Sequence, residues 1–425
     1  MGAIATDVGE PRGIASLRQM LALAGFGGIV GSRTSKTFGT VFTPVALELA
    51  AVRLGDGVPL VVSAILFASF LPSIFVGPPV AALVEGWDKR RTMLWAQLLL
   101  GAALLLVTVS ATVPMFVAVA FLMGIADVFY RPAYRALLPE IAAGSDLHVR
   151  ATGLVSALEK VGSLVAIALG TYLVLGVGVR RAFVLDALVV AVSGLCLLGV
   201  PARLSGVAPG QAPTGIWRGM REGFLAALER PLAREILLGA GLVGFGMTMV
   251  NPLLVLIPRD LLHAPVWWFG VFEFAQYAAM AVLGGLIASG LRVPRRLLIL
   301  GGFLLCGVTA AALGVGRSPI LDVAIYIVFG VGNMAWLSPV LALYRLEFPL
   351  SLRARGGSVY SMLVGGIGPA LGVGLGGVIA TATSIETALV VAGLWMALVA
   401  GAALTFGLLR SADRPAEAAA TSAPA

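Results

Sequence analysis

The sequence predicts an all-α integral membrane protein, with twelve transmembrane helices in two pseudo-symmetric six-helix bundles. Composition is the first reason. Hydrophobic residues make up 59% of the chain and charged residues 12%, against roughly 45–50% and about 25% in soluble globular proteins. So few charges cannot cover a water-facing surface, so lipid is the medium for the apolar stretches. The second reason is a series of twelve apolar runs, each of bilayer-spanning length. The third is an internal repeat with an offset close to half the chain. Thr40-Val41-Phe42-Thr43-Pro44 returns as Thr248-Met249-Val250-Asn251-Pro252, and Arg90-Arg91 returns as Arg295-Arg296. Pro132, followed by Tyr134-Arg135, is echoed by Pro339, followed by Tyr344-Arg345. Two tandem half-bundles of one topology give this pattern.

The predicted spans run 18–52, 58–84, 92–111, 114–138, 152–176, 182–200, 235–257, 267–290, 297–315, 319–343, 358–382 and 386–409. The 54 glycines recur inside them, and small residues let neighbouring helices approach closely in lipid. The expected organisation is a cytoplasmic tail over 1–16, a six-helix bundle over 17–200, a linker over 201–234, a second bundle over 235–410 and a disordered tail over 411–425. The linker opens Pro201-Ala202-Arg203 and passes through Pro209-Gly210-Gln211-Ala212-Pro213, which is loop chemistry. It then turns amphipathic, with Trp217, Met220, Phe224, Leu225 and Leu228 set against Arg218, Arg221, Glu222, Glu229 and Arg230. A helix lying on the membrane surface has this pattern.

Basic residues set the orientation. With both termini in the cytoplasm, inside segments outnumber outside segments in Lys and Arg by roughly four to one. The formal net charge of +8 is spread singly or in short clusters between apolar spans, which excludes a nucleic-acid partner. No cleavable leader is expected, because the first apolar run is too long for one. Cys196 and Cys306 lie in apolar runs of opposite halves, so neither a disulfide framework nor a metal site is expected. No cofactor is implied: no nucleotide-binding Gly-Lys-Ser/Thr loop is present.

Two short stretches carry a family resemblance. LVEGWDKRR (Leu83 to Arg91), and its echo ASGLRVPRR (Ala288 to Arg296), resemble the basic loop signature of the major facilitator superfamily. Glu85 stands where the acid is usually Asp, and Gly86 where Arg is common. RPAYRALLPEI (Arg131 to Ile141), followed by Arg150 and a glycine-rich span, is similar to the fourth-to-fifth helix connection of bacterial drug and siderophore exporters. The enterobactin-exporter-like and macrolide-efflux-like branch is the nearest type. The fifth span, however, lacks the Gly-Pro motif usual in drug/proton antiporters; a Gly-Pro pattern stands instead in the eleventh, as GPALGVGLGG (Gly368 to Gly377). The resemblance implies a monomeric secondary transporter in a bacterial cytoplasmic membrane, exporting a small amphipathic molecule against protons by alternating access. The substrate class would be a drug, siderophore or secondary metabolite, anionic in one reading.

The site candidates are the ionisable and polar residues within spans, each of which costs roughly 2.5–3.5 kcal/mol at a helix centre when charged. Arg33 and Lys36, three apart in the first span, share one face within the polar segment Ser32–Thr37. In one reading they form a cationic patch for an anionic substrate; in the other they neutralise acids on neighbouring helices. Asp127 and Arg131, four apart, can pair with each other. Glu159 and Lys160 point about 100° apart, and Glu159 is the preferred counter-ion to Arg33 or Lys36. Competition between proton, substrate and that pair would couple transport to protons, with Asp127 and Glu273 as further proton candidates. In the second half Glu273 is the clearest intramembrane acid, followed by Gln276 and Tyr277. Asn251, Glu273, Tyr277, Asn333 and Trp336 join Arg33 and Lys36 as substrate-binding candidates. Glu85, Asp88, Arg91 and Arg131 are candidates for a gating latch, because an acid at a helix C-terminus needs a compensating contact. Asp186, five residues past Arg181, and Glu48 are expected near an outer end. Uptake or exchange of an organic anion is the second transport reading. An intramembrane transferase is a remote third, since His148 and His263 fall in loops and no loop is large enough for a catalytic domain. The repeat maps Arg33, Lys36 and Glu85 onto glycines and Glu273 onto Ala68, so the halves share a scaffold and differ in their membrane charges.

Overall fold

The computed structural model describes residues 25–54, 58–77, 79–80, 87–110, 112–141, 148–201, 216–291, 293–349 and 352–413. The N-terminal tail, Glu85, most of the linker loop and the C-terminal tail lie outside these residues. All regular structure among them is helical. The first half holds α1 (Phe26–Leu54), α2 (Pro59–Phe75), α3 (Lys89–Val109), α4 (Val113–Ile141), α5 (His148–Val177) and α6 (Val179–Leu198). An amphipathic helix α7 (Ile216–Glu229) leads to the second half: α8 (Pro231–Leu254), α9 (Trp268–Ala288), α10 (Arg295–Val315), α11 (Pro319–Leu346), α12 (Arg353–Met362), α13 (Gly368–Ala382) and α14 (Ile385–Thr405). A π-helical turn at Leu363–Ile367 joins α12 to α13 as one broken span. Among the described residues, ten spans are long and apolar enough to cross a membrane. The apolar α2 is shorter, at 17 residues, and the 29-residue α1 carries Arg33 and Lys36. The bundle is thus a twelve-helix membrane fold.

The two halves are built alike. In the first, α1 packs on α5 and α6, α3 on α4 and α6, and α2 on α4. In the second, α8 packs on α13 and α14, α10 on α11 and α14, and α9 on α11. Helix for helix the neighbour pattern is the same, as a tandem duplication requires.

Two of the sequence echoes have a structural role. Arg90, at the start of α3, donates from Nε and Nη2 to the carbonyls of Leu197 and Leu198, 3.0 Å each, at the end of α6. Arg296, at the start of α10, donates from Nε to the Leu408 carbonyl past the end of α14, at 3.1 Å. Both donate to carbonyls at or just past a helix C-terminus and place a cation at its negative end. The repeated basic loops therefore tie the third helix of each half to the sixth.

The GPALGVGLGG run also has a job. Gly372 and Gly376 lie against the carbonyls of Phe245 and Met249 on α8. A Cβ at either position would collide with that backbone, so only glycine permits the approach. The π turn precedes Pro369, which has no amide hydrogen to give, and a single π turn is a usual way to absorb such a defect. On its other face α13 meets α2 of the first half: Gly377 lies against Ser63 and Gly374 against Phe67.

Helix α7 belongs with the second half. Glu222 pairs with Arg355 of α12, and Gly223 lies against the Arg355 backbone. Ala226 and Ala227 are buried while Phe224, Leu225 and Leu228 remain exposed, which leaves an apolar edge for the membrane surface.

Candidate functional site

The first charged cluster forms where α1, α4 and α5 meet. Arg33 Nε donates to Glu159 Oε1 at 2.5 Å. Lys36 Nζ lies 2.8 Å from Asp127 Oδ1, and Arg131 Nη2 lies 2.9 Å from Asp127 Oδ2. Glu159 thus meets Arg33, while Lys36 goes to Asp127. The i, i+3 spacing that puts both cations on one face of α1 also sets them over an aromatic pair on α4. Arg33 lies 4.5 Å from the centroid of Tyr134, and Lys36 lies 5.7 Å from that of Tyr130. The two tyrosines are themselves stacked, 6.3 Å apart. Beneath them Ser32 contacts the Tyr130 hydroxyl at 3.1 Å and Ser193 of α6 at 3.0 Å, and Gln97 of α3 donates to Ser193. Three cations face two carboxylates here, so the cluster has a surplus positive charge.

Exposure is graded through it. The Lys36 side chain is 3% exposed, that of Arg33 23% and that of Arg131 57%. Arg135, a turn beyond Arg131, is exposed too. Solvent contact therefore rises toward the end of the bundle that carries the basic loops.

At the opposite end the halves close on each other. Gly270 of α9 packs into Thr171 of α5, whose Oγ1 would lie 2.5 Å from a Cβ there. Leu60 N donates to Thr381 Oγ1 at 3.1 Å, joining α2 to α13.

Glu273, Gln276 and Tyr277 sit on α9 just inside this closed end. Gln276 is 7% exposed, and its carbonyl backs Gly330 of α11. One turn further in, Met280 accepts from Asn333 Nδ2 at 3.9 Å, so these candidates form one stripe along α9 and α11. Trp336 does not join it: the indole is 5% exposed and packs on Phe303 of α10, within its own half. Asn251 is exposed on α8 beside Pro252.

Of the latch candidates, Glu85 lies outside the described residues. Asp88 is the N-cap of α3, accepting from Arg91 N at 2.9 Å. The Arg91 side chain is 80% exposed, and Arg131 joins the charged cluster.

Asp186 departs from expectation. It lies two turns into α6, fully buried, and accepts from Thr43 Oγ1 of α1 at 2.5 Å. Five residues is more than one helical turn, enough to carry it from the outer end into the α1–α6 contact. Sequence reasoning also missed Tyr130 and Tyr134, although their i, i+4 spacing inside the motif region was a usable signal.

A sequence profile described as Major Facilitator Superfamily matches residues 20–366. The chain is 24% identical over 252 residues to macrolide efflux protein A of Enterococcus faecalis, covering 58% of this chain and 77% of that one. It is 25% identical over 289 residues to the Streptococcus pyogenes protein of the same name, covering 65% and 70%. Among solved structures, the nucleoside transporter NupG superposes with a TM-score of 0.72 at 13% identity, over 91% of this chain and 99% of that one. A POT family transporter in complex with 5-aminolevulinic acid gives 0.69 at 11%, over 90% and 96%. These structural likenesses speak to the fold.

Proposed function

The chain belongs to the major facilitator superfamily, and from that premise we propose that it is a proton-coupled secondary exporter of a small amphipathic molecule. The observation that carries the reading is the contrast between the halves. The first holds the membrane-embedded ion-pair cluster Arg33–Glu159 and Lys36–Asp127–Arg131, while the second holds the acid Glu273 with no cationic partner among the described residues. A charge kept within the bilayer marks a transport or proton path. Alternating access then follows from rocking of the halves about the seams α2–α13 and α5–α9. Export as the direction is supported by the efflux relatives.

In this reading the basic end faces the cytoplasm of a bacterial cell, with both termini inside, as the Lys and Arg distribution favours. The state described is closed outside and reached from within. Substrate enters near Arg33 and Glu159, whose mutual attraction it must displace. Protonation of Glu159 would free Arg33 in the same way, so proton and substrate compete at one pair. Arg131, already holding Asp127, is the latch residue that this geometry favours, since its carboxylate partner is shared with Lys36. Exchange of an organic anion is the second reading; the surplus positive charge of the cluster favours it.

The test is accumulation in energised inverted vesicles, with a panel of anionic and cationic amphiphiles. A protonophore should abolish accumulation, and Lys36→Ala and Glu273→Gln should each lower it. Accumulation unchanged in both variants would overturn the site; accumulation indifferent to the proton gradient would overturn the coupling. Gradient-independent exchange of anions alone would establish the second reading.

A further inference from the structure

Helix α7 has its faces the wrong way round for water. The buried face is small, with Gly223, Ala226 and Ala227. The exposed face carries Arg221, Phe224, Leu225 and Leu228, positions three and four apart that form one stripe. Its three apolar side chains are 40%, 42% and 41% exposed, a strip of greasy surface that water would not stabilise. Helix α7 ends at Glu229 and the spanning helix α8 starts at Pro231. The stripe is therefore tethered where the chain enters the bilayer. Arg221 lies in the stripe, and Arg234, in the first turn of α8, is exposed too. Glu229 is exposed beside Leu228, about 100° round the helix. An apolar stripe edged by arginine at the membrane surface fits lipid with negative headgroups.

The buried face clasps α12. Glu222 pairs with Arg355, and Gly223 lies against the Arg355 backbone. Arg230, at the junction of α7 and α8, lies 5.3 Å from the ring centroid of Phe348. Phe348 in turn packs against Gly356 of α12, and Tyr344 donates to the Gly356 carbonyl at 2.9 Å. Helix α7, the end of α11 and α12 thus form one unit. Helix α12 is only ten residues long, and the π turn Leu363–Ile367 sets it apart from α13. A π turn in front of a proline is a place where a helix bends. The turn itself touches the other half: Gly366 lies against Ile74 of α2. Beyond it Gly374 and Gly377 continue the same seam against Phe67 and Ser63.

We propose that the exposed face of α7 is a docking surface for an anionic lipid bilayer, and that its seating there is passed through α12 and the π turn to the α2–α13 seam. Phe224, Leu225 and Leu228 enter the headgroup layer, and Arg221 meets its negative charge. Each arginine so placed strengthens the attachment about fivefold. As α7 sinks or lifts, the Glu222–Arg355 pair carries α12 with it, and the bend at Leu363–Ile367 moves against Ile74. The lipid composition of one leaflet then biases the spacing of the two halves. The inference goes beyond the transport reading and needs neither a substrate nor a coupling ion.

The experiment uses the full chain, with Cys196 and Cys306 replaced by Ser, in nanodiscs of phosphatidylcholine carrying increasing phosphatidylglycerol. A nitroxide on Leu228→Cys reports depth, through collisions with oxygen in lipid against a nickel chelate in water. A pair of nitroxides on Phe75→Cys, 73% exposed at the end of α2, and Gly357→Cys, which faces open space on α12, reports the distance between the halves. With phosphatidylglycerol the Leu228 label should pass from water into lipid, and Arg221→Gln should need about fivefold more of that lipid. The distance should shift over the same range. It should stop responding in Phe224→Ser with Leu225→Ser. In Glu222→Gln the Leu228 label should still sink while the distance no longer follows, and Glu222→Arg with Arg355→Glu should restore the response. A label that stays in water, or sinks equally in phosphatidylcholine alone, overturns the surface. A distance that ignores phosphatidylglycerol in the parent, or follows it in the serine variant, overturns the coupling. A label shielded from both reagents, in a particle of doubled mass, assigns the face to a second copy of the chain and overturns the lipid. The parent compared between the two lipids decides the matter even where a variant fails to fold. No gradient or direction enters either readout, so failure here leaves the export reading standing, and failure of export leaves this surface standing.

Discussion

Removing Asp127 should destabilise the protein more than removing either of its cations, and removing Lys36 as well should repair much of the damage. Asp127 is shared: Lys36 Nζ lies 2.8 Å from one oxygen and Arg131 Nη2 2.9 Å from the other. The side chain of Lys36 is 3% exposed, so Asp127→Asn leaves an ammonium with no carboxylate and little access to water. Breaking a buried pair by deleting one partner costs about 3–5 kcal/mol. The low end applies here, because the Arg131 side chain is 57% exposed and recovers hydration by itself, and because Asn keeps one acceptor oxygen. About 3 kcal/mol is therefore expected for Asp127→Asn. Lys36→Met leaves Asp127 still paired to Arg131 and should cost about 1 kcal/mol. The double variant removes both the stranded ammonium and its need for a partner, so it should recover about 2 kcal/mol relative to Asp127→Asn. Unfolding in mixed micelles, titrated with a denaturing detergent, measures all three on one scale. If the double variant loses the sum of the single losses, the two groups are not coupled and the shared-carboxylate account is wrong.

The Arg90 and Arg296 clamps should behave alike despite lying in opposite halves. Arg90→Ala and Arg296→Ala each remove charged donors from helix-end carbonyls, and each should cost about 1.5–3 kcal/mol in the same micelle titration; a loss from one alone would mean that only one half needs the tie. Gly372→Leu drives a side chain into the Phe245 carbonyl and should eliminate the folded, monodisperse fraction in size-exclusion chromatography, whereas Gly241→Leu, which meets nothing within 4 Å, should not. Gly270→Leu pushes against Thr171 across the halves. It should leave the thermal transition nearly unmoved while cutting accumulation in vesicles, because it wedges a seam that must open and close; a large fall in stability instead would show that the seam is part of a fixed core.

The fold was largely legible because lipid and topology impose it. The apolar runs, the prolines and the basic loops survive in both halves since each is required wherever that half is placed. The contacts between helices were less legible. Asp186 proved to be a packing residue between α1 and α6. The break in the eleventh span was visible as Gly-Pro chemistry, yet its purpose was not. That purpose depends on the α8 carbonyls that Gly372 and Gly376 approach, and no local pattern names a neighbour on another helix. The same limit governed the charges. The i, i+3 spacing of Arg33 and Lys36 placed them on one face, and Glu159 was a sensible partner. Which cation it meets depends on how α4 and α5 splay about α1.

Helix α1 now reads as the element that relates the two charged regions. Arg33, Thr37, Thr40, Pro44 and Glu48, all half-buried, fall on one face of it, with a cation paired to an acid at the basic end and an acid at the far end. The repeat shows that this polarity is not part of the scaffold, because the corresponding positions on α8 are glycines at Gly241 and Gly244. Neither glycine is required by packing, since a Cβ at Gly241 would meet nothing within 4 Å and one at Gly244 only the Val364 carbonyl at 3.9 Å. Helix α8 is held to the broken span elsewhere, by the Phe245 and Met249 carbonyls against Gly372 and Gly376, and carries no charge where α1 has Arg33 and Lys36. A carrier built from two equal halves needs at least one helix whose charge differs from end to end if opposite gates are to respond to a single charged species. On this geometry α1 is that helix, and substitutions along Arg33, Thr37, Thr40, Pro44 and Glu48 should alter coupling before they alter stability.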